Sequence, residues 1–524
     1  MRSYSKSKFN EEARKLLLSG AEEVNKAVST TLGARGRNVV LWKHFQTKSL
    51  HDGVKVAQEV NPKNPFRNAG AEIIKQAAQR QVDVVGDGTT VAVVLGYAIA
   101  SEAEKIVVTG TNPMALRSGL ERGRDILVEE INKLSKPVTT KKQKIEVATI
   151  SSEDKKLGEL IGETYHKAGV DSVVMSEQIT GPETYVDHQE GVQINAGWRT
   201  EWFITNPDAK TASVSGAKVL VTDYKLDDIH KLVPLLKNLV EVNNKRNMVI
   251  IAGEIEGSVL ATLVQNKVTG KWNTLAVKAP SFQQKEILQD IATVTGAKFV
   301  SQDVGMSLEK LTINDLGDAE RVTSTKDATI ILGGGGKKKD IKERISSIRA
   351  SIKEESSEFD VEKLRERLAK LTGGVHVVKV GGQTEMEADE KNERADDAIK
   401  ATRAAIEGGI VPGGEIIFLE VIDKLVPENE DEEYAFRILK RALTKPFEKL
   451  VENAGLNAGK MMALLEQKKF GFGVDVIDGE IKDMMKEGIV DPTLVATEAI
   501  RNAVSVASSI IMSDGIVAEI EEEK

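Results

Sequence analysis

The chain has 524 residues, no cysteine, six scattered histidines and a formal net charge of −8 with acids and bases mixed along its length; that length implies two to four domains of roughly 100–200 residues each. Without cysteine there is no disulfide frame, thiolate metal site or cysteine nucleophile, and the histidines give no reason to expect a metal cluster. No domain is basic enough to neutralise a nucleic-acid backbone, and the low share of aromatics, 4% against 40% hydrophobic residues, suits helices packed around aliphatic and alanine side chains.

In chain order, the first twenty residues lack the continuous apolar stretch of a signal peptide, and no later stretch reaches the ~20 apolar residues that span a bilayer. The expectation is a cytoplasmic protein with neither membrane nor nucleic-acid partners. Ala13, Leu16, Leu17, Val24, Val28 and Leu32 recur at helical spacing. Between Val39 and Val56 the pattern shortens, and Asp52-Gly53 is a dipeptide that turns hairpins, so strand–turn–strand is expected there. Helical periodicity returns from Phe66 to Val85, stops at Gly86-Asp87-Gly88-Thr89-Thr90, and resumes to about Val108 on a helix apolar on most faces, which predicts burial.

Beyond Pro137 the texture becomes β-rich around Val173–Met175 and Thr184–Ile194. Met248–Ile251, Leu275–Val277 and Lys298–Ser301 then read as strands between amphipathic helices, an α/β signature. Residues from Ile341 to Leu371 read as a charged helical hairpin ended by Gly373-Gly374. From Ala395 the chain is helical again, punctuated by Gly408-Gly409, Gly413-Gly414, Gly471 and Gly473. The two ends share one texture and the middle another. A multidomain, mainly α protein with an α/β insertion between the halves of a base domain is the expectation.

A glycine turn opening a helix aims several backbone N–H groups at one point, where the helix dipole adds about half a positive charge. At residues 86–90 the glycines permit close approach, Thr89 and Thr90 offer hydroxyls, and Asp87 would repel phosphate unless a divalent cation lay between them. An ordinary inter-helix turn capped by Asp87 accounts for the pentapeptide equally well. Gly33 and Gly413-Gly414 are weaker turns of the same kind. Asp52 and the pair Asp396, Asp397 are acids that can orient a water or take its proton, although turn and cap roles fit each of them alone, and spacing does not unite Asp52 with Asp397. Trp198, Trp202 and Phe203 cluster before a helix pair carrying Val233, Leu236, Leu260 and Val264; they suit a core or an exposed apolar groove.

The strings TLGARGRNVVL (31–41), DGVKVA (52–57), GDGTT (86–90), TNPMALRSGLERG (111–123), LQDIATVTG (288–296), KLRERLAKLTGGV (363–375), ATRAAIEGGIVPGG (401–414) and GIVDPT (488–493) resemble, in order and spacing, the group I chaperonins of 60 kDa. The resemblance implies a helical equatorial domain (1–136 and 410–524), an α/β intermediate domain with hinges (137–189 and 376–409) and an α/β apical domain (190–375). It implies ATP and Mg2+ as cofactors, with K+ as an optional monovalent ion. Thr31, Leu32, Gly33, Ala34, His51, Gly88, Thr89, Thr90, Val91, Gly413, Gly414, Asp475, Val476 and Asp491 would form the nucleotide cradle, Asp87 the Mg2+ ligand, and Asp52 and Asp397 the acids beside the attacking water.

Trp198, Trp202, Phe203, Val233, Leu236, Leu260 and Val264 would form the face that binds non-native polypeptides and a co-chaperonin lid. The assembly implied is a homo-oligomer of two stacked heptameric rings. The chain departs from the pattern at Val91, where a threonine is usual, and at His51, where a lysine is. Arg199 and Gln265 are polar where the family is apolar, and the Gly-Met tail is replaced by Glu521-Glu522-Glu523-Lys524. A ring-forming holdase with little ATP turnover is the alternative that Val91 and His51 raise; a small-molecule kinase is disfavoured because no substrate-side catalytic cluster is visible.

Overall fold

Helix Thr493–Met512 packs chiefly on Pro65–Val84, Thr89–Val107 and Pro113–Leu134. It is apolar enough to buy a membrane-spanning reading by length and composition, yet 67% of its most apolar window is buried inside the protein, and Ala499, Ala503 and Ala507 are fully enclosed. Small side chains there let neighbouring helices approach closely. The structure, a computed structural model, describes residues 3–43, 46–50, 52–169, 172–189, 191–207, 209–239, 246–280, 283–355 and 357–521.

The chain divides into two compact units. The first comprises Met1–His166, Thr180–Glu183 and Val380–Lys524, and the second Lys167–Ile179 and Thr184–Lys379. In the first, helix Asn10–Val28 follows the predicted stripe, burying Ala13, Leu17, Val24 and Val28. Helices Pro65–Val84 and Pro113–Leu134 each begin with proline behind an asparagine cap, Asn64 and Asn112, whose side chain accepts from the first-turn backbone. That combination fixes the start of a helix, because proline lacks the N–H that would go unpaired. Helix Lys141–Ser152 opens with a reciprocal Thr140–Gln143 capping box. Strands Ser3–Phe9 and Gly515–Glu521 pair antiparallel, Ser3 opposite Glu521 and Phe9 opposite Gly515.

One expectation fails here. The paired strands are Val39–Lys43 and Gln46–Leu50, both before Asp52-Gly53, and that dipeptide instead starts helix Gly53–Glu59 with Asp52 as the cap accepting from Val54 N–H. Aspartate serves turns and helix caps by the same side-chain-to-backbone bond, so the dipeptide alone did not distinguish them.

The second unit is built on a six-stranded sheet ordered Gly191–Ile194, Thr329–Gly334, Gly317–Ser324, Ala212–Leu226, Asn247–Ile255, Asn273–Lys278. The last three strands run parallel, joined through helices as parallel strands must be. The predicted strand at Lys298–Ser301 reduces to a single parallel bridge, Val300 to Thr222, where the long strand is interrupted by a register shift after Thr222. A smaller sheet orders Val173–Gln178, Val375–Val380 and Tyr185–Gln189. The charged hairpin forms as helices Lys338–Glu354 and Glu358–Thr372. Asp290 anchors both, accepting from Arg344 Nε at 2.6 Å and from Arg367 Nε at 2.9 Å; both arginines are needed because a buried carboxylate left alone is costly.

Candidate functional site

In the first unit, Gly86 and Gly88 both take left-handed backbone, φ +76° and +77°, and Gly88 caps helix Thr89–Val107. A side chain on Gly88 would strike Val495 at 2.5 Å. A side chain on Gly53 would press on the hydroxyls of Thr90 and, at 2.9 Å, Thr89, so the Asp52-Gly53 segment lies directly on the 86–90 turn. Thr31 and Thr90 hydroxyls meet at 3.2 Å. The Gly33 and Gly414 turns, φ +78° and +70°, both border Leu450. Asn453 donates from Nδ2 to the Ser29 and Leu32 carbonyls, and Arg35 donates to the Ile477 carbonyl at 2.9 Å. Three glycine turns that were separate in sequence thus face one place.

Acids crowd the same place. Asp87 accepts from Gly88 N–H at 2.6 Å and from the Ser151 hydroxyl at 3.0 Å, yet burial holds its carboxyl above the ordinary range. Burial, then the charges of Asp52 and Asp87, push Asp397 well up, which puts all three acids within electrostatic reach of one another. Burial and then Asp87 raise Asp491 to about 7, against hydrogen bonds from the Glu415 and Gly414 backbone. Glu415, at φ +62°, is raised strongly by burial and Asp491. Burial works against the Lys400 ammonium, but Asp396, Asp397 and Asp52 outweigh it and raise its pKa; its Nζ meets Asp396 at 2.6 Å. Carboxylates in excess over cations in a half-buried site lack a positive partner. Among the described residues no three acids or histidines converge closely enough to hold an ion by themselves, so a cation here would need oxygen ligands from another molecule, which a phosphate group supplies.

The profile of the TCP-1/cpn60 chaperonin family matches residues 24–521. The chain belongs to that family. Among solved structures it is similar to the chaperonin gp146 from the bacteriophage EL 2 (Pseudomonas aeruginosa), crystallised in the presence of ATP-BeFx. Crystal form II gives a TM-score of 0.71 at 20% identity and form I a TM-score of 0.63 at 21%, each covering 99% of both chains. At that identity the likeness carries the fold, and the fold is the multidomain chaperonin fold expected from the sequence.

Within this chain, the residues that the resemblance implies for the cradle (Thr31, Leu32, Gly33, Gly88, Thr89, Thr90, Gly413, Gly414 and Asp491), for the metal ligand (Asp87) and for the acids (Asp52 and Asp397) gather around the turns described above. His51 lies outside the described residues. Ala34 is exposed. Val91 is buried in the first turn of helix Thr89–Val107, as Thr89 and Thr90 are, and offers no hydroxyl. Asp475 accepts from Lys482 Nζ at 2.8 Å and from Ile477 N–H at 2.9 Å, shaping the hairpin Phe472–Asp475/Glu480–Asp483; Val476 is half-buried beside it.

The apolar face of the second unit needs correction. Phe203 is completely buried and Leu236 is 4% exposed, so both are core residues: they pack with Val259, Leu263 and Ile255 in the sheet–helix interior and present nothing to a visiting chain. Trp202, the immediate neighbour of Phe203, is 66% exposed, because on the tight turn Glu201–Phe203 successive side chains are splayed a third of a turn apart. That turn packs against helix Gly257–Val268, whose Leu260 and Val264 are half-buried at its edge; Val233 and Trp198 are half-buried too. Trp198 also donates from Nε1 to the Lys210 carbonyl at 3.3 Å.

Sequence reasoning missed Lys400, Ser151 and Glu415. Lys400 was findable as a base three positions after Asp397, on the same helical face. Ser151 carries no local signal, and Glu415 only its place after Gly413-Gly414.

Proposed function

We propose that this chaperonin hydrolyses ATP in the first unit and uses the cycle to capture and release non-native polypeptides on the exposed apolar residues of the second. The observation carrying this reading is the meeting of Asp52, Asp87 and Asp397 at a turn of two left-handed glycines that opens a helix. Backbone N–H groups of residues 89 and 90 and the Thr89 and Thr90 hydroxyls would hold phosphate oxygens. Asp87, with its Ser151 partner, is the residue suited to hold Mg2+, and the surplus of acids fits such an ion. Bound Mg2+ would supply neutralisation of the phosphate charge.

Asp52 and Asp397 would orient the attacking water and accept its proton, leaving ADP and phosphate. A carboxylate whose proton affinity its neighbours have raised is a better proton acceptor than a free one. Asp475, Val476 and Asp491 would contact the nucleoside end. Residues 1–136 with 410–524 would be the nucleotide-binding domain, 137–189 with 376–409 the hinge domain and 190–375 the client-binding domain. Heptameric rings, a co-chaperonin lid and K+ dependence belong to the same reading. Retention of the Thr31, Thr89 and Thr90 hydroxyls favours turnover over passive holding. Phosphate release and refolding of a chaperonin-dependent client, measured together on the purified chain and on Asp397→Ala, test it. Both activities should collapse in the variant; refolding that persists without phosphate release would overturn the ATP-driven cycle.

A further inference from the structure

Strands Tyr185–Gln189 and Val375–Val380 of the smaller sheet pair antiparallel with His188 directly opposite His376. Directly opposed residues share one face of a sheet, and the two imidazoles lie with ring centroids 4.7 Å apart and planes tilted by 41°. His188 is exposed and His376 half-buried. The ring of His188 rests against Gly374, which has φ +65°; a Cβ on Gly374 would meet its Cε1 at 2.7 Å, so glycine leaves the ring its place. Neither imidazole makes a side-chain hydrogen bond to a described residue.

We propose that His188 and His376 form a two-histidine site for a divalent transition-metal ion of the zinc, nickel or copper class. An ion bound ~2.0–2.1 Å from an imidazole nitrogen lies roughly 3.2 Å from that ring's centre, so two rings sharing it at an angle between square and tetrahedral have centroids roughly 4.5–5.2 Å apart. The observed separation falls in that interval. Neutral imidazole is the ligating form. His188 is exposed, and water would fill the remaining coordination positions. Bound metal would tie together two strands at the point where one leaves for the six-stranded sheet at Gly191 and the other arrives from the helical hairpin through Gly373-Gly374.

The test is a titration of the full chain with Ni2+ and with Zn2+ in excess Mg2+, following heat and, with Cu2+, the electron-paramagnetic nitrogen coupling. The expected result is one ion per chain with two nitrogen ligands, and an affinity lowered at least tenfold in His188→Gln and separately in His376→Gln, while His230→Gln leaves it unchanged. Far-UV circular dichroism and phosphate release, retained in each variant, show that folding is not what was lost. Affinity unchanged within twofold in either variant, or coupling to a single nitrogen, overturns the proposal.

Discussion

The two units spend stability in opposite ways. The first draws acids inward: Asp52, Asp87, Asp397, Glu415 and Asp491 stand close enough to raise one another's proton affinity, with Lys400 as the cation among them. The second leaves a tryptophan out: Trp202 is two-thirds exposed while its neighbour Phe203 is sealed. Folding alone favours neither, since burying like charges costs free energy and an exposed indole forgoes roughly 1.5–3 kcal/mol or more of burial. On the function proposed above, each is a free-chain defect that a visitor would mend, and the visitors differ: a cation with its anion in one case, an apolar segment in the other.

The comparison breaks most easily at Asp397. Asp397→Ala should lower phosphate release by about 10²–10⁴-fold with nucleotide binding retained, read by steady-state release and by equilibrium binding; turnover reduced less than tenfold would remove the acid from the reaction. Next in size is Phe203→Ala, expected to destabilise the second unit by ~3–5 kcal/mol in denaturant unfolding. A near-neutral result would return Phe203 to the exposed face.

A smaller effect separates the acids by pH. Asp491 titrates at about 7 in the folded chain against an ordinary 3.8, so between those values the folded state keeps a proton the unfolded state has released. Its contribution to stability is therefore full near pH 4 and declines as pH rises toward 7. Asp491→Asn should flatten that decline, raising the unfolding midpoint at pH 7 by roughly 2–4 °C per kcal/mol relieved and leaving pH 4 unchanged. An equal gain at both pH values would mean that charge is not the cause. Smallest for the fold is Trp202→Ser: client binding should weaken several-fold while stability moves by no more than about 0.5 kcal/mol, as for an exposed site. Loss of stability like that of Phe203→Ala would show the indole to be packed.

What the sequence disclosed depended on how local each cause was. The turn at residues 86–90 was legible because left-handed backbone selects glycine on the spot, and helix Asn10–Val28 because its apolar stripe repeats within one element. The meeting of Asp52 with Asp397 was not, because it depends on how distant helices stack; only the family resemblance anticipated it. Asp52-Gly53 misled because one hydrogen-bonding habit serves both turns and caps. The contrast between Trp202 and Phe203 was invisible for a different reason: on a three-residue turn no periodicity exists to say which ring goes in.

Helix Thr493–Met512 has a consequence for synthesis. Emerging from the ribosome, residues 1–166 would present the apolar surfaces of Pro65–Val84, Thr89–Val107 and Pro113–Leu134 hundreds of residues before the helix that fills the space among them is made. The second unit, nearly continuous from Thr184 to Lys379, has every one of its six sheet strands by then. The later-translated half of the chain therefore holds the helix that completes the packing of the earlier one, and those three helices would stay exposed until residues 493–512 are made.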